Sequence, residues 1–341
     1  LVTEDVNLPT VAIVTPSDIT CITLSVTLDA SGSAGGNDYV WTTPDGNIVS
    51  GANTANPVVD ATGTYILTFT NSTSGCSNTD NIVVSEDVTP PTAIATAGGN
   101  IDCNTTEIAL NGGGSDTPPN FDILWTTTNG NILFGETTLT PVVDAAGTYT
   151  LEVTSLSNGC VTNASVDVTE DLTAPLVDAG SDMDLTCTTT EVVLDGTNSE
   201  QGSGFVYTWS TGDGNIVSGG STLTPTVDAA GTYTLSITSD INGCTGTADV
   251  LVNQDASVPT ADAGPAQTID CTNNTVTLDG SMSSTGLQYQ WTTVDGNIVS
   301  GSTSLNPLVD AGGTYVLEVT NIGNGCTATS SVDVAEFTNQ P

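Results

Sequence analysis

The sequence predicts an all-β protein, a tandem array of four sandwich domains, and three observations lead to it. Tryptophans recur at near-constant intervals, at Trp41, Trp125, Trp209 and Trp291. A pair of cysteines brackets each of them. Apolar residues alternate with polar ones in short runs, the period of a half-buried strand, and nothing carries helical periodicity.

Internal repetition of this length is the signature of a domain array. Every Trp is followed at one fixed interval by the Tyr of a "GTY" triplet: Tyr65, Tyr149, Tyr233 and Tyr315. A cysteine comes at a second fixed interval, at Cys76, Cys160, Cys244 and Cys326. The other set, Cys21, Cys103, Cys187 and Cys271, precedes the Trp by a distance that differs slightly between repeats. All length variation falls between that first cysteine and the Trp, in text such as "DASGSAGGND" and "NGGGSDTPPN". Surface loops tolerate such insertion.

The strands follow from the period of two. "TVTLDG" turns Val276 and Leu278 inward, and "QYQW" does the same with Tyr289 and Trp291, matched by Tyr39/Trp41, Ile123/Trp125 and Tyr207/Trp209. "GTYTLEV" sets Tyr149, Leu151 and Val153 on one face; "SVDV" places Val166 and Val168 around an exposed Asp167. Turn signals separate the runs, "DGN" at three places and "NG" before three of the second cysteines. About seven short strands per repeat, a central Trp and a cysteine pair describe an immunoglobulin-like sandwich, with Trp and Tyr in its core. The boundaries read 9–87, 88–171, 172–255 and 256–336. Residues 1–8 read as the tail and linker of a preceding repeat and 337–341 as the start of a next linker, so a longer array is expected.

Eight cysteines at regular spacing indicate an oxidising, extracytoplasmic setting. The simplest pairing is one intradomain disulfide per repeat: Cys21–Cys76, Cys103–Cys160, Cys187–Cys244 and Cys271–Cys326. Junctions such as "VSEDVTPPTA" leave only about five residues between sandwiches, one of them Pro, which predicts a stiffened, rod-like array.

Composition closes off chemistry. The chain has 341 residues, 39 Asp and Glu, and no Lys, Arg or His. A charge of −39 repels nucleic acid and anionic lipid. Without His or Lys there is no Ser-His-Asp triad, Cys-His pair or Schiff base, and with no His and the cysteines taken up in disulfides a zinc site is not expected. No apolar stretch approaches the ~20 residues of a membrane span. An enzyme is therefore not expected, and no cofactor is required. Oxygen ligands remain, which makes calcium the metal to consider. Its candidate ligands are the junction carboxylates Glu86, Asp87, Glu170, Asp171, Asp178, Asp255 and Asp262. The recurring Asp60, Asp144, Asp228 and Asp310 read as turn caps before the "GTY" strand.

The stretch "GTYTLEVTSLSNGCVTNASVDVTEDLTAP" resembles the Ig-like or PKD-like repeats of long secreted surface adhesins of Bacteroidota, including the SprB type of gliding motility exported by the type IX system. The resemblance covers all four repeats, although "TTPDG" or "TTVDG" stands where PKD domains carry "FGDG" after the Trp. It implies an extracellular, cell-surface location and a non-enzymatic stalk or filament that extends a distal binding tip. Its partners would be further copies of the same repeat. The alternatives are repeats that bind surface polysaccharide, repeats that self-assemble into a fibre, and spacers of a secreted hydrolase.

Overall fold

The computed structural model describes residues 7–337. Most of the expected leading tail (residues 1–6) and most of the expected trailing linker (338–341) lie outside that range. The chain forms two compact units, 1–172 and 173–341. Each holds two repeats, every repeat has its own core, and no helix occurs among the described residues.

The third repeat shows the plan. Strand Phe205–Thr211 pairs antiparallel with Gly231–Ser239, which pairs with Thr245–Asp255. Along the far edge, Met183–Thr186 runs parallel to that last strand, with Met183 opposite Val252 and Thr186 opposite Asp255. The facing sheet is Val192–Val193, Thr226–Val227 and Ile216–Ser218. The fourth repeat has the same two sheets, its first strand Gln267–Ile269 lying parallel to Thr327–Glu336. In the first two repeats the parallel contact is a short pair, Ile19–Thr20 beside Glu86–Asp87 and Ile101–Asp102 beside Glu170–Asp171.

Alternation places the core as expected. Tyr233, Leu235 and Ile237 are fully buried on one face of their strand, in one core with Trp209 and Leu194. The indole N–H donates to the Thr222 carbonyl at 2.9 Å, and its equivalents do the same in every repeat. Burying an aromatic without orphaning its polar tip needs such a partner.

The "DGN" and "GTY" motifs turn out to be one device. The Tyr233 hydroxyl donates to the Ala229 carbonyl at 2.6 Å and accepts the Asn215 backbone N–H at 2.9 Å. Asn215 then donates its side-chain amide to Asp228, and the Thr232 N–H donates to Asp213. Asp60, Asp144, Asp228 and Asp310 all accept from the Asn of the preceding turn. This is the tyrosine corner of immunoglobulin-like sandwiches, present four times.

The disulfide pairing differs from expectation in every repeat. Cys21 bonds to Cys160 and Cys187 to Cys326, each across a sequence separation of 139 and with Cα atoms 5.0 Å apart. Cys103 and Cys244 are also disulfide-bonded. None of the four intradomain bridges therefore forms. The reason is the parallel first strand. Cys21 follows Ile19–Thr20, which lies beside the far end of the last strand, whereas Cys76 opens that strand. The ten or so residues between put the two sulfurs at opposite poles, roughly 30 Å apart at ~3.3 Å per residue. A disulfide tolerates Cα separations of only about 4.4–6.8 Å.

Candidate functional site at the joints between repeats

Each joint is assembled from two turns. At the trailing pole of a repeat, the residue before the first cysteine donates its N–H to the carbonyl two residues after that cysteine: Thr20 to Thr23, Thr186 to Thr189. The same residue's side-chain oxygen accepts the N–H coming back, at 3.0 and 2.9 Å. The loop is tight and presents its cysteine outward.

At the leading pole of the next repeat, the second cysteine closes a hairpin. The Ser155 N–H donates to the Cys160 carbonyl and the Gly159 N–H to the Ser155 carbonyl, both at 2.9 Å. Gly159 has φ 69° and Gly325 φ 70°, left-handed values that a Cβ makes costly. Their α-carbons also face the neighbouring repeat: a Cβ on Gly159 would collide with Ile22, and one on Gly325 with Thr188. Glycine is needed here for conformation and for clearance.

Beside each bridge stands an amide clasp. Asn158 is 3% exposed, accepts the Cys160 N–H at 3.0 Å, and donates its amide to Asp87 at 2.9 Å and to the Thr89 carbonyl at 3.0 Å. Asn324 repeats this with Cys326, Asp255 and the Ser257 carbonyl. The Cys187 N–H adds a bond to the Asn324 carbonyl at 3.1 Å. One side chain thus ties the cysteine turn, the end of the previous sandwich and the linker together. The Asn158 amide, with help from the Thr89 N–H, holds the Asp87 carboxyl below its ordinary value. Asn324 and Ser257 do the same for Asp255.

The junction carboxylates divide accordingly. Asp87 and Asp255 belong to the joints. Glu86 and Glu170 lie in the parallel strand pairs, opposite Ile19 and Ile101, and Asp171 is opposite Asp102. Asp178 and Asp262 sit in the bodies of the third and fourth repeats. Each donates its N–H to a serine hydroxyl and accepts the N–H of a glycine two residues on. Among the described residues no three Asp, Glu, Cys or His side chains gather as metal ligands would.

Sequence reasoning missed Asn158, Asn242 and Asn324. The signal was there in the "NG" before three second cysteines, which reads locally as a turn and gives no hint that its Asn reaches across to the preceding linker. Within the second unit, Asn242 donates its amide to the Thr173 carbonyl, again a residue of the preceding linker.

A family model described as "PKD domain" matches residues 172–253, the third repeat. Among solved structures, the chain is similar to Sidekick-1 immunoglobulin domains 1–5, at 12% identity over 96% of this chain and 77% of that one, with a TM-score of 0.26. It is similar also to the N-terminal eight Ig domains of Down Syndrome Cell Adhesion Molecule, at 11% identity over 97% of this chain and 49% of that one (TM-score 0.32). The PKD domain from the KIAA 1837 protein shares 26% identity over 26% of this chain and 96% of its own length, with a TM-score of 0.21. No curated protein matches. The internal repetition, the sheet topology and the PKD match define an Ig/PKD-like tandem repeat protein.

Proposed function

We propose that this chain is a mechanical stalk: a non-catalytic, extracellular portion of a bacterial cell-surface adhesin of the secreted Bacteroidota type, holding a binding tip away from the cell. The observation that carries this reading is the bridging of consecutive repeats, Cys21 to Cys160 and Cys187 to Cys326. A bridge inside a sandwich protects that sandwich; a bridge between sandwiches changes what a pulling force can reach.

Tension applied at the two ends enters through residues 1–21, crosses to Cys160, runs along 160–187, crosses to Cys326 and leaves through 326–341. Residues 22–159 and 188–325 lie off that covalent path. Only roughly 60 residues can be drawn out, at most about 220 Å at ~3.3–3.6 Å per residue. An unbridged chain of this length reaches about 1,150 Å on the same measure. The sandwiches can lose their fold without the tether lengthening much. The acidic surface suits the role as well, since a charge of one sign keeps neighbouring stalks apart and soluble.

Single-molecule pulling by the two termini tests the proposal. The oxidised chain is expected to stop near the shorter limit, and the chain in reductant to approach the longer one in a series of unfolding steps. An oxidised chain that extends as far as the reduced one sinks the stalk reading.

A further inference from the structure

The first-cysteine turn of the fourth repeat has the geometry of those at the two bridged joints. The Asp270 N–H donates to the Asn273 carbonyl at 3.1 Å, and Asp270 accepts the returning Asn273 N–H at 2.9 Å, as at Thr20/Thr23 and Thr186/Thr189. The strand that leads into it, Gln267–Ile269, is anchored by Ile269 at 4% exposure and by parallel pairing with the last strand. Cys271 is therefore presented as Cys21 and Cys187 are. Those two are bonded to the Gly-Cys turn of the following repeat, while Cys271 is exposed and unbonded.

The surroundings of Cys271 form a recess rather than a flat pole. Ile269, Asp270, Cys271, Asn274, Glu336 and Phe337 line a groove of about 360 Å³. Phe337 stands at the same distance after its second cysteine as Asp87 and Asp255 do in the first and third repeats. Its N–H donates to the Ile269 carbonyl at 3.0 Å, which fixes the backbone, yet the residue is 61% exposed. A carboxylate that elsewhere accepts an amide is here replaced by an apolar face.

We propose that this pole is a receptor for the leading pole of another repeat of the same type, whose Gly-Cys turn seats in the groove and is closed by a disulfide to the Cys271 Sγ. The partner is set by the joint already seen twice: a hairpin with glycine at positive φ next to a cysteine. Sulfur and the Phe337 ring hold this joint, in place of the sulfur and amide clasp at the other two. The oxidant is a glutathione-class disulfide. The incoming thiolate attacks it, forming a mixed disulfide and releasing one glutathione thiol. The Cys271 thiolate then displaces the second glutathione, so that two thiols lose two protons and two electrons and one disulfide becomes two thiols.

The inference rests on the reading of the chain as a bridged array, but it can fail separately. Cys271→Ser leaves the Cys21–Cys160 and Cys187–Cys326 bridges intact, so the pulling result does not depend on it. The test is the full chain extended after Pro341 by a copy of residues 92–171, which continues the repeat in register, folded in a glutathione redox buffer. Non-reducing peptide mass spectrometry is expected to find Cys271 linked to the added copy of Cys160, with Cys271 protected from alkylation. In the unextended chain Cys271 is expected to alkylate. A second extension, by residues 176–255, covers the case in which the first added repeat does not fold. An alkylatable Cys271 in both extended chains overturns the proposal, as does its pairing with the other added cysteine or with Cys271 of a second molecule.

Discussion

The trailing poles of the third and fourth repeats invite comparison because their turns share one geometry and their cysteines end differently. Both poles hold a first strand parallel to the last, a tight loop and an outward sulfur. At the third, Asn324 of the next repeat reaches Asp255 and the Ser257 carbonyl, Thr188 packs over Gly325, and Cys187 bonds to Cys326. At the fourth, Phe337 replaces the aspartate and Cys271 is exposed. Nothing within the turn separates the two outcomes. At the third pole the following repeat supplies the second sulfur, the buried asparagine and the glycine clearance. In no repeat do the two cysteines bond to each other; at the Cys21–Cys160 and Cys187–Cys326 joints one repeat gives its first cysteine and the next gives its second.

The sharpest way to break this comparison is to remove a bridge. With a 139-residue separation, the chain-entropy model gives about 5 kcal/mol per bridge. The double variant Cys21→Ser/Cys160→Ser is expected to lower the melting of the first unit by about 10–20 °C, at ~2–4 °C per kcal/mol for a body of this size. Calorimetry on the full chain should show that shift while the transition of the second unit holds. A shift confined to one repeat would mean that the bridge does not couple its two sandwiches.

Disturbing a core instead of a joint should give the complementary result. Trp209→Ala removes a side chain that is 4% exposed and packed in one cluster with Val192, Leu194 and Leu235. A loss of about 3–5 kcal/mol is expected, localised to the third repeat. Hydrogen exchange would show protection falling there and persisting in the first unit, and the Cys187–Cys326 bridge should remain detectable by mass spectrometry. Loss of that bridge along with the core would show that a joint needs both sandwiches intact.

The smallest effect belongs to the clasps. Asp87 and Asp255 have folded-state values below the ordinary carboxylate value, so folding favours their ionised forms. What they contribute is present above about pH 4, the unfolded range, and is lost as pH falls through the lower folded values. Asn158→Ala should move the Asp87 midpoint upward toward the ordinary value, as read by carboxyl NMR titration, and leave Asp255 where it is. An unmoved Asp87 would show that the amide is not what holds its proton off.

Much of the architecture was legible because it is local. Alternation identified Tyr149, Leu151 and Val153 as one buried face, and all three are fully buried. The spacing of Trp and Tyr placed the core four times over. The turn aspartates were read as caps, and they accept from the turn asparagines one strand away. The cysteine pairing was misread because two cysteines in one repeat look like partners when only sequence distance is counted. The signal that decides the matter, Ile19 lying parallel to Glu86, joins the two ends of a repeat. A two-residue strand carries too little pattern to predict which end of the last strand it meets.

Taken alone, the sequence determined the all-β class, the repeat, the inward residues of each strand and the absence of any basic side chain. These depend on periodicity and residue type, which are properties of short stretches of chain. Only the tertiary structure decided where the cysteines stand. Sulfurs bond at about 2 Å and need their α-carbons roughly 5 Å apart, a condition set by strand direction and by how one sandwich meets the next. A repeat that reads as a self-contained, stapled domain proves to be a link whose staples belong to its neighbours.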